Sequence, residues 1–314
     1  MKSFPAWLAV AALLAGCATL SPSPVRPLGD EPVELADVPF FPQKRYQCGP
    51  AALATVLGAS GRSVTPDALA SEVYLPDRKG SLQAELIAAA RRQDRVAVRI
   101  GGDEQALVDQ LRAGQPVLVL LNLGFSWLPV WHYAVVVGYQ PDDDRFVLRS
   151  GTERRKRMTR AALARSWAYS DEWAIVVTPL DRIPAAADVD AWLAAVAPLE
   201  SLGRLDLAEQ GYRAALARWP DAAMAWTALG NIEARRAQWR DAVDAYSRAL
   251  ALRDDAATRN NRANALGELQ CRTLALDDLD HATQLDAGQR FAKTLAATRA
   301  ALPLHDACPA IEMH

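Results

Sequence analysis

Histidine and cysteine are both scarce, at four of each among 314 residues. Four cysteines are too few for a disulfide framework in so long a chain, so Cys17, Cys48, Cys271 and Cys308 each need a separate reason. Charge of one sign is also lacking. Thirty-five Lys and Arg against 37 Asp and Glu leave a formal net charge of -2, and no global field draws the chain to nucleic acid or an anionic surface. Beyond the first residues there is no second apolar stretch and no phosphate-binding loop, so this chain carries no transporter segments of its own. What remains is ordinary globular usage, 51% hydrophobic and 23% charged. That excludes intrinsic disorder and a fibrous repeat, and supplies material for two cores.

The start of the chain reads as an address. Met1-Lys2 brings a positive charge, Phe4 to Leu14 is too short an apolar run for a mature membrane span, and small residues precede Cys17. Residues 1–16 are thus expected to be a signal peptide. Leu14-Ala15-Gly16-Cys17 resembles the bacterial lipobox, which implies that Cys17 is lipidated and becomes the first residue of the mature chain. Several acyl chains hold firmly, at roughly 0.8 kcal/mol per buried CH₂. Ala18 stands where inner-membrane retention usually shows Asp, so the same analogy points to the outer membrane, facing the periplasm. Residues 17–36, with Pro22, Pro24, Pro27 and Pro32, read as an extended tether.

Residues 37–179 mix short helices with β-rich runs. Pro50 to Leu57, the Thr65-Pro66 start and the Gly80-Ser81 start predict three helices. Val96 to Ile100, Val117 to Leu121, His132 to Tyr139, Phe146 to Ser150 and Trp173 to Thr178 predict strands, with a hairpin turn at Pro141-Asp142-Asp143-Asp144. Asp103 and Thr159 are expected to cap two further helices. Helices first and an antiparallel sheet after them define an α+β domain.

Its chemical signal is Cys48, set just before the helix that Pro50 begins. Unsatisfied backbone N–H groups and the positive end of the helix dipole there favour a thiolate. Such a nucleophile needs a base. Of the histidines, His281, His305 and His314 lie in the C-terminal region or tail, which leaves His132 at the head of a central strand. An amide donor just upstream, Gln43, would complete an oxyanion hole with the Cys48 N–H.

Together Pro42-Gln43, Gln47-Cys48-Gly49-Pro50-Ala51-Ala52-Leu53, the Gly80-Ser81 start and His132-Tyr133-Ala134-Val135-Val136-Val137-Gly138-Tyr139 resemble the papain-like peptidases that process bacteriocin leaders at double-glycine sites. The resemblance covers about 140 residues, and its weight lies in four matches in the right order. It implies that Cys48 is the nucleophile, His132 the general base and acid, and Gln43 the oxyanion donor, with no metal or organic cofactor. Two departures stand out. Where the family places Asp or Asn to orient the imidazole, this chain offers Ser150, a neutral acceptor; Asp142, Asp143 and Asp144 are the alternatives nearby. Gln43 lies one residue closer to the cysteine than usual, which keeps Gln47 open as the donor.

The basic run Arg149, Arg154, Arg155, Lys156, Arg157 and Arg160 reads as a solvated face, with a rim for acidic substrates as the alternative. Phe125, Trp127 and Trp131 read equally as core or as the lining of a substrate groove.

After a linker at residues 180–190 the strands stop and a period of 34 begins: Trp192 to Trp226, Ala208 to Ala242, Tyr212 to Tyr246, Ala215 to Ala249. Ala275, Leu279 and Ala282 continue it at 33. This resembles tetratricopeptide repeats, which implies an all-α solenoid over residues 191–302, with a closing helix from about Ala287 to Leu302 and a tail at 303–314. Asn231, Asn261 and Asn264 fall on first helices and read equally as polar solvated positions or as contacts to a peptide or protein partner, as such repeats often make. Cys271 and Cys308 are placed to clamp the C-terminus in an oxidising compartment. The whole reads as a lipid-anchored, periplasm-facing cysteine peptidase whose repeats recruit a protein. The alternatives are an idle peptidase fold acting as a protein-binding adaptor, and acyl transfer to an amine.

Overall fold

The computed structural model describes residues 28–309. The signal peptide at 1–16, Cys17, the first part of the tether and His314 lie outside the described residues.

The first domain runs β1 (Val33–Glu34), α1 (Cys48–Ala59), α2 (Pro66–Val73), α3 (Gln83–Arg92), β2 (Val96–Arg99), α4 (Glu104–Arg112), β3 (Val117–Asn122), β4 (Trp131–Gln140), β5 (Arg145–Ser150), β6 (Glu153–Thr159), α5 (Arg160–Ala168) and β7 (Ala174–Thr178). The strands form one antiparallel sheet in the order β2-β7-β3-β4-β5-β6. Alternation along β3 explains the layers. Leu118 and Leu120 join Leu53, Leu57, Leu69 and Leu86 on the face covered by α1 to α3, while Val117, Val119 and Leu121 join Leu107, Leu111 and Trp167 on the face covered by α4 and α5. The caps sit where the sequence places them: Thr65, Asp103 and Thr159 each accept from the backbone N–H three residues on.

Several boundaries differ from the sequence reading. The tether does not extend to residue 36, because Val33 and Glu34 pair with Tyr139 and Gly138 in the sheet, and the Leu28 N–H donates to the Tyr139 hydroxyl at 3.2 Å. Gly138 is required there, since a Cβ would lie 2.7 Å from the Val33 carbonyl oxygen. The third helix starts at Gln83, after Gly80-Ser81, and the closing helix starts at Ala292. Arg154 to Arg157 of the basic run lie on the edge strand β6 and form the solvated face that the sequence suggests, whereas Arg149 lies on β5 and Arg160 opens α5. The charges of β6 protect an open edge from pairing with another chain, and poor strand propensity hid the strand.

Arg149 is buried. Its guanidinium donates to the carbonyls of Ala36 (3.1 Å), Val38 (3.2 Å) and Arg154 (2.7 Å), clamping the entering chain to the sheet. Arg155 pairs with Glu34 at 2.6 Å and Arg157 with Asp143.

The helical region comprises α6 (Val189–Val196), α7 (Pro198–Ser201), α8 (Leu205–Arg218), α9 (Ala223–Arg235), α10 (Trp239–Leu252), α11 (Ala256–Glu268), α12 (Arg272–Leu285) and α13 (Ala292–Ala301). Every position of the 34-residue period on the second helices is buried: Ala208, Tyr212 and Ala215 on α8, Ala242, Tyr246 and Ala249 on α10, Ala275, Leu279 and Ala282 on α12. Pro198 breaks the first helix of the first pair into α6 and α7.

The linker is not a free hinge. Leu180, Ile183 and Ala187 pack with Trp192, Tyr212 and the β2 residues Val96 and Val98, so the first repeat shares a core with the sheet. At the other end Cys271 and Cys308 form a disulfide. The tail is tied down further by Ala307 N–H to Gln270 O at 3.0 Å and by Asp306, which accepts from the Thr273 N–H at 3.1 Å.

The disulfide spans 37 residues, for which chain-entropy arguments give about 4 kcal/mol. The Cys308→Ala variant should therefore unfold its repeats at clearly lower urea concentration, read by circular dichroism. An unchanged midpoint in non-reducing buffer would argue against the bond.

Candidate active site

Cys48 is the first residue of α1, a helix whose residues from Gly49 to Leu57 are all buried. A helix apolar on every side is held inside, here between α2, α3 and the sheet. Gly49 permits the approach of its first turn to the neighbouring loop, because a Cβ there would lie 2.6 Å from Ser81 Cβ. The same packing sets the sulfur against β4, where the Tyr133 backbone N–H points at it. Tyr133 is fixed in turn, its ring edge-on to Trp173 and its hydroxyl donating to Ser81 O at 3.2 Å.

Since Tyr133 faces Cys48, the strand brings His132 to the same end of the sheet. Gln43, Cys48 and His132 line one cleft of about 920 Å³. The imidazole Nε2 lies 2.9 Å from Ser150 Oγ on the adjacent strand, and Ser150 is buried. That contact occupies Nε2 and leaves Nδ1 as the second ring nitrogen. Asp142, Asp143 and Asp144 sit at the far end of β4, about 30 Å along the strand from His132. Asp143 pairs with Arg145 and Arg157, and Asp144 accepts from the Tyr139 hydroxyl. None of them reaches the imidazole.

Gln43 is half-buried; its backbone N–H donates to Gly151 O at 3.0 Å and its side-chain amide reaches Tyr133 O only at 3.5 Å, which leaves the donor loosely held. Gln47 lines a separate depression with Phe41 and Pro66. The cleft wall thus contains Gln43 and excludes Gln47. His281 is exposed on α12, bonded to Asp277 O, and His305 is exposed in the tail.

The electrostatics depart from the sequence expectation. Burial pushes the Cys48 thiol above its ordinary value, against the opposing pull of the Tyr133, Gly49 and Cys48 N–H groups. Burial, reinforced by the charge of Lys156, holds His132 down at about 4. A thiol and a neutral imidazole in one cleft are therefore the resting state. The helix start does not deliver a free thiolate, because desolvation outweighs the dipole in so enclosed a position.

Sequence reasoning missed the cleft's cationic wall. Lys44, Arg78 and Lys79 line it, with Lys79 over the Tyr46 ring, whereas none of the residues Arg149 to Arg160 does. Tyr46 and Lys79 on that wall, and Asp171 opposite, have left-handed backbone, the strained conformation that clusters at functional sites. Of the three aromatics, Trp131 lines the cleft while Phe125 and Trp127 stack outside it; all three are exposed, which removes the core reading.

A thiol, an imidazole and an amide donor thus line one cleft. Residues 35–175 match the model of the Peptidase_C39 like family. Three solved structures resemble the chain. A C39-like peptidase from Bacillus anthracis is 20% identical over 48% of this chain and 98% of its own, with a TM-score of 0.40. The peptidase domain of Streptococcus ComA, a bi-functional ABC transporter involved in quorum sensing, is 22% identical over 45% and 98%, at 0.36. YrrB, a TPR protein with an unusual peptide-binding site, is 22% identical over 36% and 66%, at 0.31. No curated protein matches the chain.

The His132 shift has a consequence for stability. The unfolded chain takes up the imidazole proton below about 6.5 and the folded chain only below about 4. Between those values unfolding binds a proton, so stability falls as the pH is lowered, by up to about 3 kcal/mol in all. Urea denaturation of wild type and His132→Gln should show this slope only in the wild type.

Proposed function

We propose that the chain is a lipid-anchored cysteine peptidase facing the periplasm, in which Cys48 and His132 hydrolyse peptide bonds and the repeats recruit a protein substrate or partner. The observation that carries this reading is the shared cleft, in which the Cys48 sulfur meets the N–H of Tyr133 while the adjacent His132 is held through Nε2 by Ser150.

In this mechanism His132 Nδ1 takes the Cys48 proton as sulfur attacks the substrate carbonyl carbon. The oxyanion accepts from the Gln43 amide and the Cys48 N–H, two donors that gain strength as charge develops. Collapse breaks the C–N bond, with His132 returning the proton to the leaving amine. Water, deprotonated by His132, then hydrolyses the thioester and restores the thiol. A double-glycine cleavage site rests on the family likeness alone. On the repeats, Asn231 accepts from the Tyr246 hydroxyl at 2.9 Å and from Asn261 at 3.0 Å, which leaves the exposed Asn264 as the freest of the three asparagines for a partner.

The second reading is an adaptor with an idle site, and the raised thiol, lowered imidazole and neutral Ser150 favour it. N-terminal proteomics of periplasmic proteins from wild-type and Cys48→Ala cells separates the two. A peptidase yields new termini in the wild type alone, whereas identical sets of termini support the adaptor. In a purified peptidase, Ser150→Ala should lower kcat by about tenfold or more through loss of a buried hydrogen bond. Ser150→Asp should raise the His132 pKa, followed by NMR of the ring protons, because a carboxylate stabilises the imidazolium.

A further inference from the structure

The connection between β3 and β4 carries a run of exposed apolar residues. Leu123, Phe125, Trp127, Leu128, Val130 and Trp131 are all exposed, Trp127 at 77% and Phe125 at 65%. The stretch Leu123-Gly124-Phe125-Ser126-Trp127-Leu128-Pro129-Val130-Trp131 contains no charge. It is nonetheless well ordered by its own bonds. Phe125 and Leu128 exchange backbone hydrogen bonds at 3.1 Å, Leu123 N–H donates to Val130 O at 2.9 Å, and Asn122 Oδ1 accepts from the N–H groups of Gly124 and Val130, both at 2.9 Å. The Phe125 and Trp127 rings stack in parallel, 5.6 Å apart, at the tip.

We infer that this loop is a docking element that seats its apolar tip in the surface of a phospholipid bilayer. Three features select lipid as the occupant. The tip residues Phe125, Trp127 and Leu128 are exposed and lie outside the lining of the cleft, whereas a peptide site would be concave. The backbone N–H groups of Leu123, Gly124, Phe125, Leu128 and Val130 find their partners within the loop, which lowers the cost of entering a medium that offers few. The loop's two tryptophans are of the type that settles at the membrane–water boundary. The chain before the described residues supplies a fourth argument, which rests on the reading of Cys17 as the lipidated residue. Leu28 is bonded to Tyr139 near the far end of β4. That strand is ten residues, about 30 Å, long. The chain from Cys17 to Leu28 reaches at most about 35 to 40 Å. An anchor at Cys17 can therefore lie in the same membrane as the tip, with little slack. Because Val130 and Trp131 also line the cleft, a seated loop opens the cleft at the lipid surface.

The test uses the chain from residue 18 onward, which holds every described residue and carries neither lipid nor signal peptide. It is sedimented with sucrose-loaded vesicles of phosphatidylethanolamine and phosphatidylglycerol, beside a Phe125→Ser/Trp127→Ser/Leu128→Ser variant checked for an unchanged melting temperature. The expected result is vesicle binding that persists at high salt and weakens by about tenfold or more in the variant, since buried apolar area and not charge drives it. Lipids brominated along the acyl chain should quench the wild-type fluorescence and quench Trp127→Phe less. The inference is overturned if neither chain sediments, if both do so equally, or if salt abolishes the binding. It is equally overturned if the triple variant loses only self-association, or only affinity for a soluble peptide, because the occupant is then a second copy or the substrate. None of these outcomes depends on catalysis, so the peptidase reading stands or falls separately.

Discussion

The packing of the first turn of α1 against β4 governs the rest of the site. It needs a residue without a side chain at Gly49, so that the turn can reach the loop at Ser81, and it brings the sulfur of Cys48 under the Tyr133 N–H. Strand geometry does the remainder, since the residue beside Tyr133 is His132 and the next strand ends at Ser150. The position of the chemistry follows from one buried helix. So does its cost, because the enclosure that aligns thiol and imidazole also removes the water that would stabilise either as an ion.

The legible part of this arrangement was carried by local signals. Thr65, Asp103 and Thr159 cap their helices because a short oxygen-bearing side chain before an apolar period has few other uses. The 34-residue period predicted which alanines and tyrosines are buried in the repeats, since each unit repeats the same contact. His132 was found by elimination among few histidines. Ser150 was placed from the strand that follows, and the pairing of β4 with β5 puts it there.

What escaped were features that exist only in three dimensions. Arg149 belongs in sequence to a basic run, but β5 turns it inward, where the carbonyls of Ala36 and Val38, more than a hundred residues away, and that of nearby Arg154 satisfy it. β1 is two residues long and has no pattern to detect; it forms because Gly138 lets it approach. The linker looked like a spacer because of its prolines, yet its apolar residues join a core shared by the sheet and the first repeat. The cationic wall of the cleft comes from Lys44 and the turn at Arg78-Lys79, which only folding brings together. The dipole argument at Cys48 failed in a similar way, since it counted the helix and not the enclosure.

The low His132 pKa and the serine behind it are two sides of one design. A carboxylate at position 150 would favour a standing imidazolium, and with it a thiolate held ready in the resting enzyme. A hydroxyl fixes the ring without adding charge, so thiol and imidazole both remain neutral and the ion pair lies uphill. In the proposed peptidase charge would develop only as sulfur meets a carbonyl, when the negative charge would move on to the oxygen and towards the Gln43 amide and the helix N–H groups. Such a site depends on stabilisation of the transition state and gains little from ground-state activation. Its selectivity consequently resides in whatever the cleft walls align against those donors, and an idle thiol and a discriminating one differ in that alignment more than in resting charge.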